Sequence, residues 1–137
     1  LWNWLSGRIL PEGHYTRIES ESSAGFPDVH YTIGEISGTM ELKFCRFPKL
    51  KNPLQGKDLG FRRSQIIWIA DEFIAGGWTA LIVQIDDVVR VYHPSLVAYI
   101  NDYSQKELAN KSSLVLNKRD PSAQQVRNLK DFLLRRL

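Results

Sequence analysis

The sequence predicts a mixed α/β domain built on a mostly antiparallel central sheet. Three observations predict it. Two apolar segments, residues 29–44 and 78–92, each break at a short polar turn and read as hairpins. Residues 61–75 between them have helical periodicity and stop at Gly76-Gly77, which makes a helical crossover. Two more helical stretches close the chain, so helices flank the sheet. At 137 residues the chain amounts to about one domain, 1–137, and can bury a sizeable core. Hydrophobic residues at 43% and charged residues at 24% exclude wholesale disorder. No apolar run approaches the ~18 residues that a spanning helix needs.

Residues 1–10 read as a short helix with Trp2 or Trp4, Leu5 and Ile9 on one side, ended by Pro11 and Gly13. They lack the basic start of a signal peptide. Residues 14–18 hold the β-compatible Tyr15, Thr16 and Ile18 and lead into Glu19. Residues 20–25 are a loop of small and polar residues that contains Glu21. Residues 29–33 alternate like a strand, 34–38 turn, and 39–44 return. Residues 46–60 contain two prolines, two glycines and four basic side chains, which predicts an exposed, mobile basic loop. The helix at 61–75 has Ser64 in its cap region and a stripe of Ile66, Ile69, Ala70 and Phe73. Residues 78–85 form an apolar strand of the type buried on both faces. Asp86 and Asp87 turn it into a partner at 88–92. Pro94 opens a helix through about residue 109. Residues 110–121 are a polar connection, and 122–137 form an amphipathic helix with Val126, Leu129 and Leu133 inward.

The net charge of +3 is unevenly spread. Residues 43–63 carry Lys43, Arg46, Lys49, Lys51, Lys57, Arg62 and Arg63 against Asp58 alone. A second basic stretch runs from Lys111 to Arg136, while several acids fall between Glu12 and Glu41. Basic flanks around a small acidic centre suit a polyanionic partner. The single cysteine, Cys45, excludes an internal disulfide and a cysteine-based zinc site, and a reducing cytoplasm is the simplest compartment. Histidines 14, 30 and 93 lack metal-binding spacing.

The chemistry concentrates in residues 25–43. On a strand, side chains two apart share a face, so Glu41 and Lys43 project together while Met40, Leu42 and Phe44 face the other way. Asp28 begins the partner strand, and the turn brings it opposite Glu41. Two facing carboxylates repel unless a proton or cation intervenes. Mg²⁺ (or Mn²⁺) takes oxygen ligands of this kind together with water and substrate phosphate. The Leu42 carbonyl adds a further oxygen. Lys43 is placed to position a water or offset charge on a phosphate. The third carboxylate is Glu19 or Glu21, and Glu19, at the end of the preceding strand, is preferred.

Pro27-Asp28 followed after twelve residues by Glu41-Leu42-Lys43 resembles the PD-(D/E)XK nuclease superfamily. Residues 17–20 (RIES), 25–33 (GFPDVHYTI), 37–43 (SGTMELK) and 62–84 (RRSQIIWIADEFIAGGWTALIVQ) are similar to the small phage-type VRR-NUC nucleases, relatives of Holliday-junction resolvases. Gln65 and Trp68 fall at that family's helix positions. The resemblance spans about 17–92 and leaves out the C-terminal helices. It implies a restriction-endonuclease-like core, metal ligation by Glu19, Asp28 and Glu41, a catalytic Lys43 and a supporting Gln65. The expected activity is hydrolysis of DNA phosphodiesters by an Mg²⁺-activated water. Arg46, Lys49, Lys51, Lys57, Arg62 and Arg63 would contact the DNA backbone. Nothing looks like a base-reading helix, so the expected target is branched DNA, cut by a two-fold homodimer whose contact the apolar N-terminal segment could supply. A nuclease acting on flaps or duplexes, a non-catalytic DNA-binding module on the same fold, and a structural protein with a basic helix are the competing readings.

Overall fold

The computed structural model describes residues 1–18, 25–56 and 58–136. Its centre is a six-stranded sheet of β1 (His14–Arg17), β2 (Val29–Ile33), β3 (Ile36–Cys45), β4 (Thr79–Ile85), β5 (Val88–Tyr92) and β6 (Leu114–Asn117), neighbours in that order. Only β3 and β4 pair in parallel; the other four pairings are antiparallel. The parallel pair requires a crossover, and α1 (Arg63–Ile74) supplies it. Two further helices, α2 (Gln105–Lys111) and α3 (Ala123–Leu133), complete a mixed, mostly antiparallel α/β architecture flanked by helices.

Strand β4 is buried at every position but its last, because apolar layers cover both faces of the sheet. Trp4, Leu5, Ile9 and Leu10 of the N-terminal segment pack on one face with Leu129, Phe132 and Leu133 of α3. Val29, Tyr31, Ile33, Met40, Ala80 and Ile82 meet them from the sheet. Tyr31 lies over Gly38 on β3 and donates its hydroxyl to the Leu133 carbonyl at 2.7 Å, which ties α3 to the sheet centre. The opposite face packs Leu81, Val83 and Tyr92 against Ile69 of α1, Leu108 of α2, and Leu54, Phe61, Val97 and Ile100. Trp4, Leu5, Ile9 and Leu10 are thus part of the chain's own core. Leu1 and Trp2 of the same segment stay half-exposed.

Several elements depart from the sequence reading. The N-terminal helix is a π-helical segment, Trp4–Ile9, rather than an α-helix. Residues 94–109 are not one helix. They form 3₁₀ turns at Pro94–Leu96 and Ile100–Asp102, and only then α2. Val97 and Ile100 are buried three apart, a spacing that 3₁₀ and α geometry share, so periodicity could not separate them. Ser104 starts α2 afresh: its hydroxyl accepts the Glu107 N–H, and the Glu107 carboxylate accepts the Ser104 N–H. The polar connection at 110–121 contains β6, in which Leu114 and Leu116 are buried and Val115 and Asn117 exposed. Four residues are too short for that alternation to stand out. Helix α3 stops at Leu133, followed by Arg135 at φ +60°, instead of running to 137. Helix α1 starts without a Ser64 cap: Gln65 accepts the Arg62 N–H through Oε1 at 3.0 Å. The basic loop is not wholly exposed, since Pro53 and Leu54 are buried in a 3₁₀ turn, Pro53–Gln55.

Candidate active site

The β2–β3 hairpin sets the site's geometry. Its two-residue turn, with Gly34 at φ +62°, pairs Ile33 with Ile36 and Val29 with Met40. Asp28 therefore stands one step beyond the ladder, opposite Glu41. There the chains exchange side-chain bonds in place of ladder bonds. The Asp28 N–H donates to Glu41 Oε1 at 3.1 Å, and the Leu42 N–H donates to Asp28 Oδ2 at 3.0 Å. Each carboxylate is held by the other residue's strand. The Leu42 N–H leaves β3 on the side away from β4, and in extended backbone its carbonyl leaves on the same side. Past Met40, that edge of β3 faces the site.

The preceding loop is anchored to α1. Gly25 has φ +84°, and a Cβ there would collide with the Ser64 carbonyl, so this approach to the first turn of α1 requires glycine. Phe26 packs on Trp68 with ring centroids 4.7 Å apart. Pro27 and Asp28 are delivered from that anchor, which gives Trp68 a packing role.

Glu41 has no solvent exposure. Its Oε2 lies 3.4 Å from Lys43 Nζ, yet no hydrogen bond reaches it among the described residues. Burial pushes the Glu41 carboxyl up to about 8; Lys43 pulls it back, and the hydrogen bond and charge of Asp28 add to the rise. Lys43 Nζ donates to Gln65 Oε1 at 3.1 Å and sits 5.3 Å from the centre of the Phe61 ring. The same Gln65 oxygen accepts the Arg62 N–H. Gln65, only 2% exposed, therefore joins the start of α1 to the lysine on β3. This aligns the four residues Asp28, Glu41, Lys43 and Gln65 on one side of the sheet.

A cleft of about 410 Å³ opens on the group, lined by Arg17, Asp28, Lys43, Asp58, Arg62 and Gln65 among others. A second hollow of about 350 Å³ shares Arg17, Asp28, Leu42 and Lys43 and extends toward Trp2. No model of a known protein family matches this chain, and no curated protein matches it. The likeness to PD-(D/E)XK nucleases rests on the motif residues themselves.

The basic residues divide. Arg62 lines the cleft, Arg63 is exposed at the start of α1, and Lys51 is exposed on the loop. Arg46 and Lys49 line a separate apolar hollow beside Phe47. Glu19, Glu21 and Lys57 lie outside the described residues. Arg17 was not singled out by sequence reasoning. It ends β1 opposite Val29 and borders both hollows next to Asp28. Its place in the RIES motif, two residues before Glu19, is the available sequence signal.

The donor set fits a hard cation. Oδ1 of Asp28 and Oε2 of Glu41 are the carboxylate oxygens left after the two backbone bonds, and Oε2 is buried, accepts no hydrogen bond among the described residues and has Lys43 Nζ at 3.4 Å as its counter-charge. An anionic oxygen so placed takes up a proton or a cation. Among the described residues no three His, Cys, Asp or Glu side chains converge as a metal cluster, so a third protein carboxylate would have to come from elsewhere. No described helix is long and apolar enough to cross a membrane.

Proposed function

We propose that this chain is a metal-dependent, structure-specific DNA endonuclease on a restriction-endonuclease-like PD-(D/E)XK core, related in type to the phage VRR-NUC nucleases and Holliday-junction resolvases. The observation that carries the reading is the reciprocal lock of Asp28 and Glu41 beside Lys43, with the buried Glu41 Oε2 ion-paired to Lys43 but accepting no hydrogen bond among the described residues. Packing alone gives no reason to bury a carboxylate beside a single lysine, because desolvating such a pair costs stability.

Asp28, Glu41, the Leu42 carbonyl and Glu19 would hold Mg²⁺ or Mn²⁺. When bound, the ion polarises a phosphoryl oxygen and lowers the pKa of water. The protein's own groups do the rest. Lys43, oriented by Gln65, faces the position a scissile phosphate would take and offsets charge that builds on it. Arg17 and Arg62 on the cleft wall steer the DNA backbone toward the carboxylates, with the exposed Arg46, Lys49, Lys51 and Arg63 extending the positive surface. The branched target and a homodimer that makes two symmetric cuts belong to the same proposal.

The test is cleavage of a four-way junction, a flap and a linear duplex, with Mg²⁺ or EDTA, by wild type and Glu41→Ala. Metal-dependent cutting that is fastest on the junction and lost in the variant is expected. Equal cutting by the variant overturns the mechanism. Faster cutting of flap or duplex would assign a repair- or restriction-type substrate. DNA binding without cleavage under any divalent ion would leave only a binding module.

A further inference from the structure

Phe47 is 74% exposed, on the loop that leaves the catalytic strand. Its backbone is left-handed at φ +50°, a conformation that bulky residues rarely adopt. It is pinned there because Asp86, in the β4–β5 turn and itself at φ +52°, accepts the Phe47 N–H through Oδ1 at 2.8 Å. Two turns therefore clasp to hold an apolar ring in solvent. The Arg46 guanidinium stands over the ring at 5.9 Å. Lys49 and Lys51 are exposed nearby in sequence, and Leu50 is 47% exposed. The folded chain gains no burial from this arrangement.

We infer that Phe47 is a stacking platform for an unpaired nucleobase of the DNA held at the Asp28–Glu41–Lys43 site. The inference rests on the endonuclease reading and adds a base contact to it. Aromatic rings among cations are the recurring surface for unpaired nucleic acid: the cations track phosphates and the ring meets the π-face of a base, whichever base it is. Phe47 follows Lys43 by four residues, a reach of no more than about 14 Å. A DNA strand covers that distance in about four nucleotides at ~3.4 Å each. The platform therefore lies where strands separate if the scissile phosphate sits near a branch. A protein partner suits this surface less well. Arg46 and Lys49 line the same hollow as Phe47 and Leu50, a charge that favours a polyanion.

The experiment measures binding in EDTA, so that chemistry does not enter. Wild type, Phe47→Ala, Phe47→Leu and Phe47→Trp are titrated with a fork that carries unpaired arms, the same fork with abasic sites in those arms, and a blunt duplex of equal length. Loss of one stacking contact corresponds to about tenfold weaker binding. Phe47→Ala and Phe47→Leu are expected to lose about tenfold on the intact fork, less than twofold on the duplex, and nothing on the abasic fork. Phe47→Trp should keep the fork affinity, with its added indole fluorescence quenched by the intact fork and not by the abasic one. Because the side chain is exposed, these variants should fold, and circular dichroism checks that they do. Equal losses on fork and duplex, or none on the fork, overturn the inference while leaving the endonuclease reading in place. Wild type that binds neither DNA overturns both.

Discussion

Strand β3 carries a buried polar problem toward each end, and the two are handled differently. Toward the start of β3, Thr39 accompanies Trp78, whose indole Nε1 is buried without a hydrogen bond among the described residues. His93 and Phe132 lie 5.1 and 5.2 Å from its ring, Phe73 lies at 6.4 Å, and the Arg135 guanidinium stands over it. Further along lies Glu41, fully buried where Trp78 is half-buried, with one oxygen ion-paired to Lys43 but accepting no hydrogen bond among the described residues. Trp78 is neutral and walled in by rings, so its missing bond costs a modest amount that packing offsets. Glu41 carries an ionisable carboxylate, and one backbone donor, the Asp28 N–H, and a lysine have been arranged around it beside an open cleft. One end of β3 uses burial for stability, and the other gives up stability to hold a charge.

The largest expected effect separates the two ends directly. Glu41→Gln should lower cleavage by ~10³-fold or more, because Gln keeps an acceptor for the Asp28 N–H but supplies no anionic oxygen. It should also stabilise the metal-free protein at alkaline pH. Burial holds the folded-state pKa of Glu41 at about 8, above the ordinary carboxyl value of 4.5, so between those values the folded state holds the extra proton and wild-type stability falls as pH rises. Urea melts in EDTA should show wild type and variant alike below pH 4.5 and the variant more stable by a few kcal/mol above pH 8. A variant less stable than wild type at pH 9 would break the comparison.

Phe132→Ala strikes the other end. Phe132 is 3% exposed and packs on Trp78, so truncation should cost about 3–5 kcal/mol of stability. Cleavage per folded molecule should stay within twofold, measured well below the lowered melting temperature. A large loss of turnover in folded protein would mean that the ends are coupled and the division is wrong.

These two ends also differ in how legible they were. Asp28, Glu41 and Lys43 could be placed from sequence because a hairpin with a short turn fixes its register, and period-two alternation then fixes the faces. Gln65 was nameable but not explicable. Its double role needs the distance between α1 and β3, which no local pattern encodes. The Trp78 cluster was invisible, because it joins residues 73, 78, 93, 132 and 135 from separate elements. The 3₁₀ turns at 94–102 and strand β6 escaped for a related reason: short elements take their form from tertiary partners more than from propensity.

A smaller effect probes the link between α1 and the site. Gln65→Leu removes the acceptor shared by Lys43 and Arg62 while keeping most of the volume. It should cost about 1–2 kcal/mol of stability and about tenfold in turnover, with substrate KM changed little, because Lys43 loses its orientation but not its charge. Gln65→Glu keeps an acceptor and should recover most of the stability. If Gln65→Leu lost stability alone, Gln65 would be a helix-start residue with no part in the site.

The smallest expected effect belongs to His93, which packs edge-on against both Phe73 and Trp78. Burial lowers its pKa below the ordinary histidine value, so the unfolded chain takes up this proton first as pH falls. His93 therefore contributes stability that is present above about pH 6.5 and is lost as pH drops through the unfolded and then the folded pKa. His93→Phe should flatten that acid-side slope and change stability at pH 8 by less than about 1 kcal/mol, since the ring contacts persist. The slope that Glu41 produces, between pH 4.5 and about 8, has the opposite sign, because there the folded state holds the extra proton. In the double variant Glu41→Gln/His93→Phe both slopes should disappear independently, as expected for groups that share no contact. Non-additive loss of the two slopes would show that the aromatic end and the charged end titrate as one unit.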